Sequence, residues 1–247
     1  MIVYPAIDLS NGRCVQWVGG RPETERVSLP DPVAVARQFV DAGFAALHVV
    51  DLDAALGNDN NRNGNNRSSV AAILAAVGVP VQVGGGLRDD DAVAAVIALG
   101  AARAVVGTRA VADRPWLARM AAAHPGRIVV AADCRRGEVV THGWTEGSGV
   151  AAADFVAGLA ELPLAGILVT DVGREGRLGG PDVAFLGGLA RASKHPLLAA
   201  GGIRGGDDIA SLATAGIAGA ILGMALYEGG LDPASLAATL RIQETLT

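Results

Sequence analysis

Gly85-Gly86-Leu87-Arg88 and Gly201-Gly202-Ile203-Arg204 are one phrase written twice, 116 residues apart. Twenty-two residues beyond each leading glycine stands another glycine: Gly107 in Val105-Val-Gly-Thr108, and Gly223 in Ile221-Leu-Gly-Met224. The segments between them open with acids, Asp89-Asp90-Asp91 in one copy and Asp207-Asp208 in the other. Upstream, Ala6-Ile7-Asp8 matches Ala131-Ala132-Asp133, and Val49-Val50-Asp51 matches Val169-Thr170-Asp171. Strand order, spacing and chemistry thus agree at four places. The chain reads as two similar halves, approximately 1–125 and 126–247.

Around this repeat run eight short apolar segments: Ile2–Ile7, Ala46–Leu52, Pro80–Val83, Ala104–Val106, Ile128–Ala132, Gly166–Thr170, Pro196–Ala200 and Ala218–Leu222. They alternate little between apolar and polar, as strands buried on both faces do in a parallel sheet covered by helices. Between them lie segments with helix chemistry: Pro32–Ala42, Ser69–Val77, Asp89–Leu99, Asp113–Ala123, Asp154–Leu162, Asp182–Ala192, Asp207–Ala215 and Pro233–Thr245. Asp31 before Pro32 suits an N-cap with proline at the first helical position, and Gly43 suits the C-terminal cap. Eight strand–helix alternations favour one closed α/β domain over residues 1–247, a (β/α)8 TIM barrel, over an open doubly wound sheet.

Composition narrows the function. Of 247 residues, 51% are apolar but only 4% aromatic, so the core is expected from Ala, Val, Leu and Ile. A net charge of −5 argues against nucleic acid as a partner. No apolar run reaches the ~18 residues of a membrane span, and the first residues lack the pattern of a signal peptide. Cys14 and Cys134 form neither a CxxC pair nor a disulfide framework, so no metal is expected and the protein is expected in the cytoplasm. The Ala-rich helices suit one subunit as well as a weak interface; a monomer is the expectation.

Sites on such barrels lie at the C-terminal ends of the strands. Each half places two glycine turns there, and glycine lets a backbone approach an anion at a helix N-terminus. Gly85-Gly86 with Gly107-Thr108 is expected to hold one phosphate, and Gly201-Gly202 with Gly223-Met224 another, although glycines of this kind also simply make tight turns. Two such sites across one mouth call for a ligand with a phosphate at each end. Asp8 and Asp133 end the first strand of each half, and two carboxylates on opposite sides of a ligand suit general acid–base work. Asp51 and Asp171 end the second strands; Asp51 reads as structural as readily as functional. His48 reads equally as a core or a site residue, while His124 and His195 are expected at solvated helix ends. Cys134 is expected to point away from Asp133 and to behave as a small buried hydrophobe.

Longer motifs carry a family resemblance. Met1–Leu9 with Asn11-Gly12, His48–Asp53, Gln82–Arg88, His142-Gly-Trp144 with Ser148-Gly149, and Leu178–Pro181 resemble the histidine-biosynthesis isomerases, which act on phosphoribosylformimino-aminoimidazole carboxamide ribotide. The resemblance runs from Met1 to about Gly229. It implies an Amadori rearrangement of a bisphosphorylated aminoaldose to its aminoketose, with no metal or organic cofactor. It also implies Asp8 as proton acceptor, Asp133 as proton donor and Thr170 as support for the reacting sugar. Arg88, Trp144 and Gly180 fall at positions that help bind the substrate, Trp144 by stacking.

The sequence departs from that family pattern in places. Gln16 stands where an arginine is usual, which suggests a missing substrate-contacting cation. Glu175-Gly-Arg177-Leu178 replaces Asp-Gly-Thr-Leu, with Arg177 either on a lid or solvated. Met224 replaces a common basic residue. Asn58–Arg62 and Asn63–Arg67 look like a small duplication in a mobile loop. Two further functions stay open at this point. One is a bifunctional isomerase that also takes phosphoribosylanthranilate; the other is a barrel that binds a phosphosugar without turning it over. The related cyclase fits less well, because strand 1 here reads Pro5-Ala-Ile-Asp-Leu9.

Overall fold

The computed structural model describes residues 1–57, 65–228 and 231–245. In chain order the first half holds β1 (Ile2–Ser10), β2 (Arg13–Gln16), β3 (Val27–Leu29), α1 (Pro32–Ala42), β4 (Leu47–Asp51), α2 (Leu52–Ala55), α3 (Asn65–Ala76), β5 (Val81–Gly84), α4 (Asp90–Ala98), β6 (Arg103–Val106), α5 (Thr108–Ala112) and α6 (Arg114–Ala123). The second half holds β7 (Ile128–Arg135), β8 (Glu138–Thr141), β9 (Glu146–Ala151), α7 (Ala152–Gly158), β10 (Gly166–Asp171), α8 (Val183–Ala192), β11 (Leu197–Ala200), α9 (Gly206–Thr214), β12 (Gly219–Leu222), α10 (Met224–Tyr227) and α11 (Pro233–Thr245).

Eight of these strands pair in parallel in the order β1, β4, β5, β6, β7, β10, β11, β12, and β12 returns to β1. The sheet is therefore a closed barrel inside a ring of helices, the (β/α)8 fold. Closure leaves its eight strands without free edges. The helices start where the sequence supplies caps: Asp31, Asp89, Asp113 and Asp182 each accept a hydrogen bond from the backbone N–H three residues on. Each such cap contributes about 1 kcal/mol.

Strand parity sorts the core into two layers. Val3, Ile7 and Leu9 face the helices and join a cluster with Phe39, Leu47, Val49, Ile128, Val130 and Ile167. Tyr4 and Ala6 face the barrel axis with Val105, Val129, Leu168, Leu198, Ala200 and Ile221. Side chains on a strand alternate between faces. Asp8 therefore shares the inward face of Tyr4 and Ala6, Asp133 that of Val129 and Ala131, and Thr170 that of Leu168. Cys134 takes the opposite parity and packs among the outer cluster, as expected.

The expected strands all form, and several run further. β1 continues to Ser10 and β7 to Arg135, so both carry the aspartates inside the strand. The antiparallel additions β2, β3, β8 and β9 were not expected; they extend β1 and β7 above the barrel rim. Neither were the single-turn helices α2, α5 and α10. The expected helix Asp154–Leu162 instead starts at Ala152 and ends at Gly158. Of the expected Asn-rich loop, residues 58–64 lie outside the described residues. Asn65–Arg67 begin α3, which corrects the loop reading for those three. Asn66 is fully buried there. It accepts from Gly12 N and donates to Leu9 O, Asp51 Oδ1 and Asp53 Oδ2, pinning the end of β1.

Candidate active site

The barrel mouth opens into a cavity of about 240 Å³ lined by residues from every barrel strand or the loop that follows it. Asp8 and Asp133 both face it, as do Thr170, Trp144, His48 and Glu175. The glycine turns Gly85-Gly86, Gly107-Thr108, Gly201-Gly202 and Gly223-Met224 also form its wall. The two halves build these turns alike. Gly85 and Gly201 have φ of 96° and 98°, and Gly107 and Gly223 have φ/ψ of −116°/−102° and −101°/−106°. A Cβ on Gly85 would fall 2.1 Å from the Asp51 carbonyl oxygen, and one on Gly201 2.6 Å from that of Asp171. Side chains are excluded there both by φ and by space.

The carboxyls differ from ordinary surface acids. Burial pushes the Asp8 carboxyl up to about 7, opposed by a hydrogen bond from the Gln16 side chain. Burial also raises Asp133, opposed by hydrogen bonds from the side chains of Thr170 and Trp144. A carboxyl in a site of low polarity favours its neutral form, and donors aimed at it favour the anion. Glu175 is a third acid at the same mouth. Burial and the charges of Asp8, Asp133 and Asp171 push it up to about 8, so it is protonated at neutral pH. Its loop is fixed by the Gly19 N–H donating to Glu175 O at 3.2 Å, and by Gly176 packed against the backbone of Trp17 and Val18.

His48 belongs to both readings offered for it: its ring is buried in the barrel and lines the cavity floor. Burial lowers it to about 4, so the imidazole is neutral, and its Nδ1 lies 2.9 Å from the Gln82 amide nitrogen. Trp144 overhangs the mouth with its ring against Gly20, where an added Cβ would come within 2.5 Å of it. Arg88 sits exposed on the rim, donating to Ala55 O at 2.7 Å.

Several expectations change. Gly180 is not part of the cavity wall: its N–H donates to Gly202 O at 2.9 Å, and its carbonyl accepts from Arg174. It braces the Gly201-Gly202 turn from behind, with no N–H left for a ligand. Arg204, the repeat's counterpart of Arg88, is engaged by both oxygens of Asp208. Gln16 does not face the cavity; it is buried behind Asp8. His195 is half-buried and bonds Leu159 O at 2.9 Å rather than being solvated. Asp51 is structural, accepting from Ala54 N and Asn66. Arg177 lies outside the mouth in a second concavity with Arg135, Arg136 and Arg174.

Two charged cavity residues escaped the sequence reading. Arg109, directly after Gly107-Thr108, reaches the mouth while stacked 4.7 Å from the Trp116 ring and bonded to Arg88 O. Its place one residue past a phosphate-type turn was the available signal. Glu175 was noted only as a departure from a motif. Nothing local marks it as a site residue, because the fold of its loop against Trp17 and Val18 brings it over the two aspartates.

No group of three or more His, Cys, Asp or Glu side chains suited to a metal occurs among the described residues. No helix among them is long and apolar enough to cross a membrane.

A barrel with opposed acids and paired glycine turns at one mouth is an enzyme of the (β/α)8 class. Comparison with known proteins carries this further. A family model described as histidine biosynthesis protein matches residues 2–232. A protein of Gemmatimonas aurantiaca, named 1-(5-phosphoribosyl)-5-((5-phosphoribosylamino)methylideneamino)imidazole-4-carboxamide isomerase, is 48% identical over 237 residues, 96% of this chain and 98% of that one. One of Myxococcus xanthus with the same name is 47% identical over 238 residues, again 96% and 98%. The chain belongs to the histidine biosynthesis protein family.

Proposed function

We propose that this protein is the isomerase of histidine biosynthesis that converts the phosphoribosylformimino aminoaldose to its aminoketose. The observation that carries the reading is the pair Asp8 and Asp133, on matched strands of the two halves, facing one cavity with glycine turns on both sides. Relatives at 47–48% identity bear the name of this isomerase along almost their whole length. The matched turn geometry supports reading the chain as two half-barrels, approximately 1–125 and 126–247.

The substrate's two phosphates are placed at Gly85, Gly86, Gly107 and Thr108 on one side and at Gly201, Gly202, Gly223 and Met224 on the other. Backbone N–H groups at such turns suit an anion. Arg88 and Arg109 supply positive charge at the rim of a protein that is acidic overall. Trp144 covers the sugar or its base.

Asp133 gives its proton to the ring oxygen, the C1–O bond breaks, and the nitrogen on C1 becomes an iminium. Asp8 then takes the proton from C2, and the electron pair forms C1=C2 while neutralising the nitrogen. Proton loss from the C2 hydroxyl and proton gain at C1 complete the aminoketose. The environments match these roles. Burial raises the Asp133 carboxyl and so favours its protonated form, and Thr170 and Trp144 stabilise the carboxylate left behind. Asp8, at about 7, is largely ionised just above neutrality and basic enough to accept a proton.

The two buried free thiols, Cys14 and Cys134, suit a reducing cytoplasm. Among the described residues the exposed large hydrophobics are Ile2, Leu29 and Leu99, scattered rather than forming a patch, which suits a monomer. Steady-state turnover tests the function. The purified protein is expected to convert the histidine-pathway aminoaldose, with phosphoribosylanthranilate run alongside. A folded sample that converts neither would overturn the reading.

A further inference from the structure

Gln16 is the residue that the family resemblance left unexplained, and the structure gives it a task. It ends β2, the strand that folds back on β1 with Val15 opposite Asp8. Only 2% of it is exposed, and it does not contribute to the cavity wall. Its Nε2 donates to Asp8 Oδ2 at 3.1 Å and to Val15 O at 2.9 Å, which uses both amide protons. No other described side chain hydrogen-bonds the Asp8 carboxyl. On its far side the Gln16 Oε1 is wedged against Gly223, where an added Cβ would come within 2.5 Å. The amide is thus clamped between β1 and the turn after β12, and its donor direction is fixed by packing.

We propose that Gln16 is the positioning residue of the proton acceptor: it fixes Oδ2 of Asp8 from behind and leaves Oδ1 for the substrate proton, without touching the substrate. This rests on the isomerase reading for the step it serves. A neutral donor is well matched to that step. A hydrogen bond to the carboxylate holds the charged form without adding a cation that would suppress its basicity. The other groups facing Asp8 oppose or ignore its charge. Glu175 and Asp133 stand across the cavity, Cys14 and Tyr227 lie behind β1, and His48 on β4 is neutral. Gln16 therefore supplies the favourable interaction that these neighbours do not.

The test uses Gln16→Leu, which keeps bulk and removes the donor, and Gln16→Arg, which keeps a donor and adds charge. Three quantities are read in the intact protein: the pH profile of kcat/KM, the affinity for the aminoketose product, and the carboxyl 13C titration of Asp8 in the free protein, assigned by its loss in Asp8→Asn. Gln16→Leu is expected to move the acidic limb and the Asp8 titration upward together by about one pH unit, with product affinity within about twofold. Gln16→Arg is expected to move both downward. Limbs and titrations that coincide in all three proteins would overturn the proposal, as would a loss of affinity with no shift. If the wild type turns over no aminoaldose, the isomerase reading fails, and the 13C titration still decides whether Gln16 governs Asp8.

Discussion

Asp8→Asn is expected to stabilise the protein at alkaline pH, although it removes the proposed base. The carboxyl shifts from 3.8 in the unfolded chain to about 7 in the fold. A raised carboxyl stays protonated in the native state while the unfolded chain ionises. Stability is therefore lost as pH rises from about 4 to about 7, and is flat above. Asparagine copies the neutral carboxyl and does not titrate, and its Oδ1 still accepts from Gln16. Between pH 5 and pH 8 the wild type loses about two pH units of this linkage, roughly 2.7 kcal/mol at 1.36 kcal/mol per unit. Asp8 is only partly buried at the open mouth, and discounting for solvent screening there leaves about 2 kcal/mol. For a chain of this size that is about 4–8 °C in Tm. Relief of Glu175, which Asp8 also pushes up, adds in the same direction. The assay is calorimetric melting of both proteins at pH 5 and pH 8. The variant's advantage should widen by that amount at the higher pH. An advantage equal at both values, or a variant less stable at pH 8, would refute the account of Asp8.

Asp133→Asn should lower kcat by a factor of about 10²–10⁴ while product binding, measured calorimetrically, stays within a few-fold. Trp144→Phe keeps a ring over the mouth but removes a donor to Asp133. The basic limb of the rate profile, where the acid loses its proton, should then move to higher pH. Gly201→Ala places a methyl 2.6 Å from Asp171 O at φ 98°. It should cost about 2 kcal/mol or more in denaturant unfolding and raise KM, because the turn cannot keep its shape.

Much of this architecture was legible in the chain, and the reasons are physical. Strands buried on both faces are continuous apolar runs, so the eight barrel strands stood out, and aspartates before helices marked α1, α4, α6 and α8. The repeat found the turns after β5 and β11, because only glycine fits a positive φ against a neighbouring carbonyl, and with them the matched glycines after β6 and β12, which share one φ/ψ of their own. The β2–β3 and β8–β9 additions were hidden, since short, partly exposed strands with turns such as Arg136-Gly137 carry little periodic signal. Gln16 was read only as the loss of a substrate-contacting cation, because its place in sequence suggested the mouth. The antiparallel return of β2 puts it behind β1 instead. Glu175 depends on how two loops meet, which no local pattern encodes. Gly180 was assigned to the ligand from a motif, and its N–H proved committed to Gly202.

The most direct test of the central claim is the rate at which wild-type protein and Asp8→Asn convert the aminoaldose, with product affinity measured on the same samples. Turnover by the wild type, lost in a folded variant that still binds, is the predicted result. A variant that keeps its turnover would contradict Asp8 as the proton acceptor, and a folded wild type without turnover would contradict the isomerase reading itself.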